Sequence, residues 1–347
     1  LYGTFIRKLY DYVTNGEDVT LTGNPLVLAN SMGRPLKECV VSWEPTQEGE
    51  GTPSPDNIRP IHGRTQVSVE RCGENLLNYS IDELVPLLIN DTQRWAIRYN
   101  VLADGTYTLI KAGGYNYNAT DLNGKNIRNT TNISLKKGDI IFFTTFSTSI
   151  KTNVIADLKD NPLLLTINQI VLPGYTPYSG STTTLTLPST IYGGEVGAEG
   201  AGEETWKLLT LDGTENWITP SSNAYYAAFG YAPSTNTNDG FCSHLPYMAN
   251  GSVKSTYVNK NGAVVFYGCN TEMTVTQLKA WLAAQHTAGT PVTIAYKLAD
   301  PVPFTATGGG TIPTVKGTNT LLTDADTIKA TYRCNVRAAA EELDTLY

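Results

Sequence analysis

The chain has 347 residues, with 25 Lys+Arg against 32 Asp+Glu, a net charge of −7, and only 16% of its residues are charged. Its 20 Tyr, 31 Gly and 47 Thr exclude a disordered chain, which is charge-rich and aromatic-poor, and a coiled-coil rod, which needs Ala, Glu, Lys and Leu. The acidic balance and the lack of a Lys/Arg cluster argue against nucleic acid as a partner.

Taken in chain order, residues 1–18 open with Phe5, Ile6, Leu9, Tyr10 and Val13 at i, i+1, i+4, i+5 and i+8. That spacing makes one apolar helical stripe, and Asn15-Gly16 stops it. A helix this short is marginal alone, so the segment reads as a docking helix for assembly. Arg7, Lys8 and Asp11 interrupt it, so it does not read as a signal peptide. Residues 19–74 read as short strands between turns, a β attachment domain; Glu38 to Glu44 is its clearest strand, and a Pro-rich loop covers 45–63. Residues 75–180 hold runs at Trp95–Val101, Gly105–Lys111, Asp139–Phe146 and Leu163–Val171, separated by Gly-containing turns. Short strands at such spacing predict an antiparallel sandwich or jelly roll.

Residues 181–205 read as a Thr-rich strand followed by a Gly-rich hairpin or mobile linker. Residues 206–310 read as a second β module with one helix near 274–286. There Thr274 is a good N-cap with Gln277 three residues on, a capping box, and Val275, Leu278, Trp281 and Leu282 form an apolar face. Residues 311–347 close with two alternating strands and a short helix from Ala338. The fold class expected is therefore all-β dominated: consecutive antiparallel β-sandwich modules with a short N-terminal helix and one capped helix.

No stretch approaches the roughly 18 consecutive apolar residues of a spanning helix, so no membrane insertion is expected. Five cysteines (Cys39, Cys72, Cys242, Cys269, Cys334) are widely spaced and form no C-x-x-C pair; they read as buried free thiols and not as a metal framework. No metal, cofactor or catalytic residue is expected. His62 lies in the Pro-rich loop and His286 at a helix end. Ser243-His244 adjoin, but neighbours in a strand point to opposite faces, which argues against a nucleophile and its base. Asp300, Asp324 and Asp326 are carboxylates whose spatial pairing a sequence does not show. The one non-enzymatic signal is aromatic. Tyr115 and Tyr117 in Gly113-Gly114-Tyr115-Asn116-Tyr117-Asn118, and Tyr225-Tyr226, combine a flat apolar ring with hydrogen-bonding neighbours, which suits a sugar surface.

Several blocks together resemble a family of bacteriophage and prophage tail structural proteins of Gram-positive and gut bacteria. Val19-Thr20-Leu21-Thr22-Gly23-Asn24-Pro25 with Arg34-Pro35-Leu36-Lys37 looks like the family's opening strand pair. The most specific block runs from Glu44-Pro45-Thr46-Gln47-Glu48-Gly49 through Asp56-Asn57-Ile58-Arg59-Pro60-Ile61. Arg71-Cys72-Gly73 and Asn75-Leu76-Leu77 match the lead into a lectin-like module, whose exit is matched by Tyr175-Thr176-Pro177-Tyr178. Leu211-Asp212-Gly213-Thr214-Glu215-Asn216-Trp217, Cys242-Ser243-His244, Ala295 to Val302, Gly317 to Thr320 and Ala330 to Arg333 continue in the family's order. Residues 79–170, where such proteins vary, match only in style. The resemblance implies a non-enzymatic virion component made in the bacterial cytoplasm: a tail fibre, tip or baseplate-associated protein, a homo-oligomer with a trimer favoured. Its implied partners are other tail proteins and a host-surface glycan. The alternatives are a capsid-attached head fibre or purely structural tail component and, from another class, a glycan depolymerase.

Overall fold

The computed structural model describes residues 18–30, 35–73, 75–80, 83–111, 113–121, 123, 125–127, 132–167, 179–221, 224–228, 239–248, 254–268, 273–315 and 317–333. The apolar stripe from Phe5 to Val13, the Tyr175 to Tyr178 element, Cys269, Cys334 and the segment from Ala338 lie outside them. The fold is dominated by antiparallel sheets, as the composition predicts. The chain divides into two compact units, one of residues 1–41, 68–184 and 309–347, the other of 42–67 and 185–308.

In the first unit a five-stranded sheet holds Val85–Ile89, Thr92–Asn100, Ile140–Thr145, Tyr117–Thr120 and Asn126–Ile127. A three-stranded sheet holds Ile133–Leu135, Gly105–Lys111 and Leu163–Ile167. One core takes side chains from both: Ile97, Tyr99 and Phe143 from the first, Tyr107, Leu109 and Leu165 from the second. Tyr99 and Tyr107 meet edge-on with ring centroids 6.0 Å apart. A β-sandwich is the result. The run Ile140-Ile141-Phe142-Phe143 does not alternate, because both faces of its strand are covered: Phe143 enters the main core and Phe142 a separate cluster with Leu87, Ile89 and Ala96.

The helix Lys151–Asp160 was not expected from the sequence. Its N-cap is Ile150, which makes no side-chain cap bond, its first turn holds no acidic residue, and only Val154 and Leu158 are buried. Those two residues, one turn apart, join the sandwich core, so tertiary burial forms the helix where local signals do not.

The same unit contains the ladders Asp18–Gly23 with Thr327–Arg333 and Leu26–Asn30 with Gly317–Thr323, the latter strand pairing also with residues 69–72. Three polar side chains fasten its loops. Asn24 Nδ2 donates to the carbonyls of Thr323 and Ala325, while its Oδ1 accepts from Thr323 N–H. Asn75, fully buried, accepts from the Leu77 and Leu165 amides and donates to Leu163 O. Arg71 donates to the carbonyls of Pro313 and Ser179. Each satisfies backbone groups that the ladders leave over.

In the second unit the Gly-rich stretch is a hairpin, Gly193–Gly197 with Ala201–Leu211, and the latter pairs with Val292–Thr305. Ile218–Ser221, Ala224–Ala228, Ala263–Tyr267 and Ser255–Val258 form a four-stranded sheet. The helix Val275–Thr287 has the capping box of Thr274 and Gln277, and its Leu278 and Leu282 enter a core with Trp217, Tyr225, Phe266 and Tyr296. Gly213 has φ +85° and faces this helix; a Cβ there would lie 2.3 Å from Lys279 O. Only glycine fits that close approach.

Candidate functional site

The tyrosines singled out as sugar contacts fall in different places. Tyr117 opens the strand Tyr117–Thr120 and is 4% exposed, with the Lys111 ammonium over its ring at 4.6 Å from the centroid. Burial, with the Asp157 charge adding to it, raises its hydroxyl pKa. Tyr115 is half-buried against the core; its N–H donates to Asp157 Oδ1 and its carbonyl accepts from Lys111 Nζ. Tyr225 lies in a strand and not in a polar loop, is 3% exposed, and donates its hydroxyl to Met273 O. Tyr117 and Tyr225 therefore present no ring face to solvent, because strand alternation turns them inward. The Tyr226 side chain lies outside the described residues, as do Phe5, Ile6, Leu9, Tyr10 and Val13.

Ser243 and His244 correct the sequence reading. Ser243 Oγ lies 2.8 Å from His244 Nδ1, since both residues sit in a bend that follows the strand Gly240–Cys242; strand alternation does not govern them. Ser243 Oγ also accepts from Thr293 N–H at 2.9 Å. His244 is fully buried, its ring edge-on to Trp281 at 5.9 Å. Burial lowers the imidazole pKa, opposed by the Gln285 side chain. The pair is buried and ties a strand end to the neighbouring strand.

The block from Glu44 to Ile61 is a loop stapled by its own side chains. Arg59 donates to the carbonyls of Glu48 at 2.8 Å, Gly49 at 2.6 Å, and Gly51. Asn57 Nδ2 donates to the carbonyls of Glu50 and Thr52, and Gln47 Nε2 to those of Arg59 and Cys242. A planar fork of N–H donors suits this role. The block Leu211 to Trp217 is closed by Glu215, which accepts from the Asp212 and Gly213 amides and from Trp217 Nε1.

A cleft of about 270 Å³ among the described residues of the first unit is lined among others by Ser68, Glu70, Leu102, Lys137, Leu322 and Asp324. Its wall is the turn Thr323-Asp324-Ala325. Lys137 Nζ donates to Asp324 O at 2.6 Å, with Ala325 O at 3.3 Å and Thr323 O at 3.4 Å. Ser68 N–H donates to Asp324 Oδ1 at 2.8 Å, and Thr323 Oγ1 donates to Ser68 O at 2.7 Å. With the Asn24 bonds, these hold the turn in place. Sequence reasoning named Asp324 as a carboxylate and missed the rest, because no local pattern joins these positions.

Among the described residues no group of His, Cys, Asp and Glu could hold a metal ion, and no helix is long and apolar enough to cross a membrane. Cys39, Cys72 and Cys242 are buried and form no disulfide; burial, then the Glu38 charge, pushes the Cys39 thiol up to about 12.

The described residues define an all-β protein of antiparallel sheets. No protein-family model, curated protein or solved structure matches the chain.

Proposed function

We propose that this chain is a structural protein of a virus particle, without catalytic activity. More particularly, it is a component of a bacteriophage tail, a fibre, tip or baseplate-associated protein that assembles as a homotrimer and contributes to attachment to a host-surface glycan. It is made in the bacterial cytoplasm and functions in the virion.

The observation that carries this reading is the place of the resembling blocks. Asn24, Arg59, Arg71, Asn75 and Glu215 all fall within them, and each closes a loop or a strand end through several hydrogen bonds. Residues 79–170, which match the family only in style, build most of the β-sandwich. Firmly closed loops in the resembling blocks, with a sandwich in the stretch that matches only in style, suit a protein that keeps its contacts with its own particle and varies those with its host.

Cryo-electron microscopy of the whole virion, with the chain traced into the map, tests the reading. Density at the tail with threefold stoichiometry is the expected result, and density on the capsid overturns the tail assignment. Purified protein is expected to bind host cells saturably and to release no reducing ends from host glycan; release would favour a depolymerase.

A further inference from the structure

The edge of the five-stranded sheet carries an inference that does not rest on the tail reading. Its strand Val85–Ile89 pairs with Thr92–Asn100, and among the described residues no strand pairs with its other side. Every residue of the strand, Val85-Pro86-Leu87-Leu88-Ile89, is apolar, and Leu88 is 65% exposed. An uncharged apolar strand at a sheet edge is a template for pairing with another chain, and a second copy of this protein presents the same strand.

The turn fixes which backbone groups that edge presents. Ile89 and Thr92 flank a two-residue turn, Asn90-Asp91, whose φ angles are +47° and +59°. Positive φ at both positions makes it the type I′ turn of a tight hairpin, so Ile89 and Thr92 exchange both of their hydrogen bonds and the pairs alternate from there. Leu87 with Arg94 and Val85 with Ala96 are bonded pairs, whereas Leu88 with Gln93 and Pro86 with Trp95 are not. The backbone groups of Pro86 and Leu88 therefore point away from the sheet. Pro86 has no N–H to present, which leaves Leu88 N–H as the donor that the strand offers outward. Two copies meeting antiparallel about Leu88 would bond there and nowhere else. The next pairing would set Pro86 of each copy, which lacks the donor, against Asn90 of the other, where positive φ has already ended the strand. Proline is confined to sheet edges for this reason. We propose that Pro86 bars this edge from pairing with a second copy, so that copies of this protein assemble through other surfaces.

Pro86→Thr restores the missing donor with a residue that suits strands. Sedimentation velocity of the full chain over about 1–100 µM is expected to show this variant at twice the mass of the wild type, because a contact that uses the same strand in both copies closes on itself. The wild-type mass should stay constant over that range. Adding Leu88→Lys, which places a charge on the edge, is expected to return the variant to the wild-type mass. Amide hydrogen exchange of the wild type, resolved residue by residue, tests the geometry without a substitution. Leu88 N–H should exchange at least about tenfold faster than the Leu87 and Ile89 amides, which bond across the hairpin.

Pro86→Thr at the wild-type mass at every concentration would overturn the proposal, and so would a doubling that survives Leu88→Lys. Should Pro86→Thr fail to fold, exchange decides: a Leu88 amide protected as strongly as its neighbours would mean that the edge is already paired, and the proposal falls. None of these outcomes depends on where the chain sits in a virion, so the tail reading stands or falls by the virion map alone.

Discussion

Lys111 and Asp157 form an ion pair inside the first unit, their side chains only 10% and 8% exposed. The carboxylate also accepts from the Tyr115 amide and from Asn161 Nδ2 at 3.3 Å, and the ammonium lies over the Tyr117 ring. The pair pins the helix Lys151–Asp160 to the strand Gly105–Lys111. Buried charges are tolerated because every neighbour supplies a hydrogen bond or a ring face.

Removing one partner leaves the other charge buried. Lys111→Met is expected to destabilise the protein by about 3–5 kcal/mol, and Lys111→Met with Asp157→Leu to recover much of that loss. Urea unfolding of both variants checks this; equal losses in the two would show that the charge is not the cause.

Arg59 holds three loop carbonyls with one guanidinium. Arg59→Lys keeps the charge but has no planar fork, and a loss of about 1–3 kcal/mol is expected. The readout is limited proteolysis, with new cuts expected between residues 48 and 58. An unchanged digestion pattern would show that the staple does not order the loop.

Thr274 accepts from the Gln277 amide, and Gln277 Oε1 accepts from the Thr274 amide. Thr274→Ala should cost about 1 kcal/mol, read as a lower urea midpoint at constant slope. Thr274→Ser should retain most of the stability.

His244 is expected to make the protein acid-sensitive. The unfolded imidazole titrates near 6.5, and burial lowers the folded pKa below that. The unfolded chain therefore takes up the proton first as pH falls. The His244 contribution is whole above about pH 6.5 and is lost as pH drops through the interval down to the folded pKa. His244→Phe, which keeps a ring against Trp281, should flatten the slope of stability between about pH 7 and pH 5 relative to wild type. Parallel slopes would refute the assignment.

What could be read from the amino acids alone is what depends on near neighbours. In the strand Gly105–Lys111 buried Tyr107 and Leu109 alternate with the part-buried Thr108 and Ile110, and the capping box of Thr274 and Gln277 spans a single turn; a period of two and a cap three residues away are visible in any short window. Composition sufficed for the all-β class, since Thr and Tyr suit a pleated, half-buried surface. The helix Lys151–Asp160 escaped because its local signals are absent and only Val154 and Leu158 anchor it. Ser243 and His244 were misjudged because one bend cancels the alternation of a strand.

Tertiary structure alone decided which tyrosines are core and which polar groups meet. Tyr117 and Tyr225 had the composition of a sugar platform, yet sheet register turned both rings inward. Ser68 and Asp324, 256 positions apart, share the hydrogen bond that shapes the cleft. Such contacts leave no trace in local periodicity, because the energy that forms them comes from closing the chain on itself and burying its apolar faces.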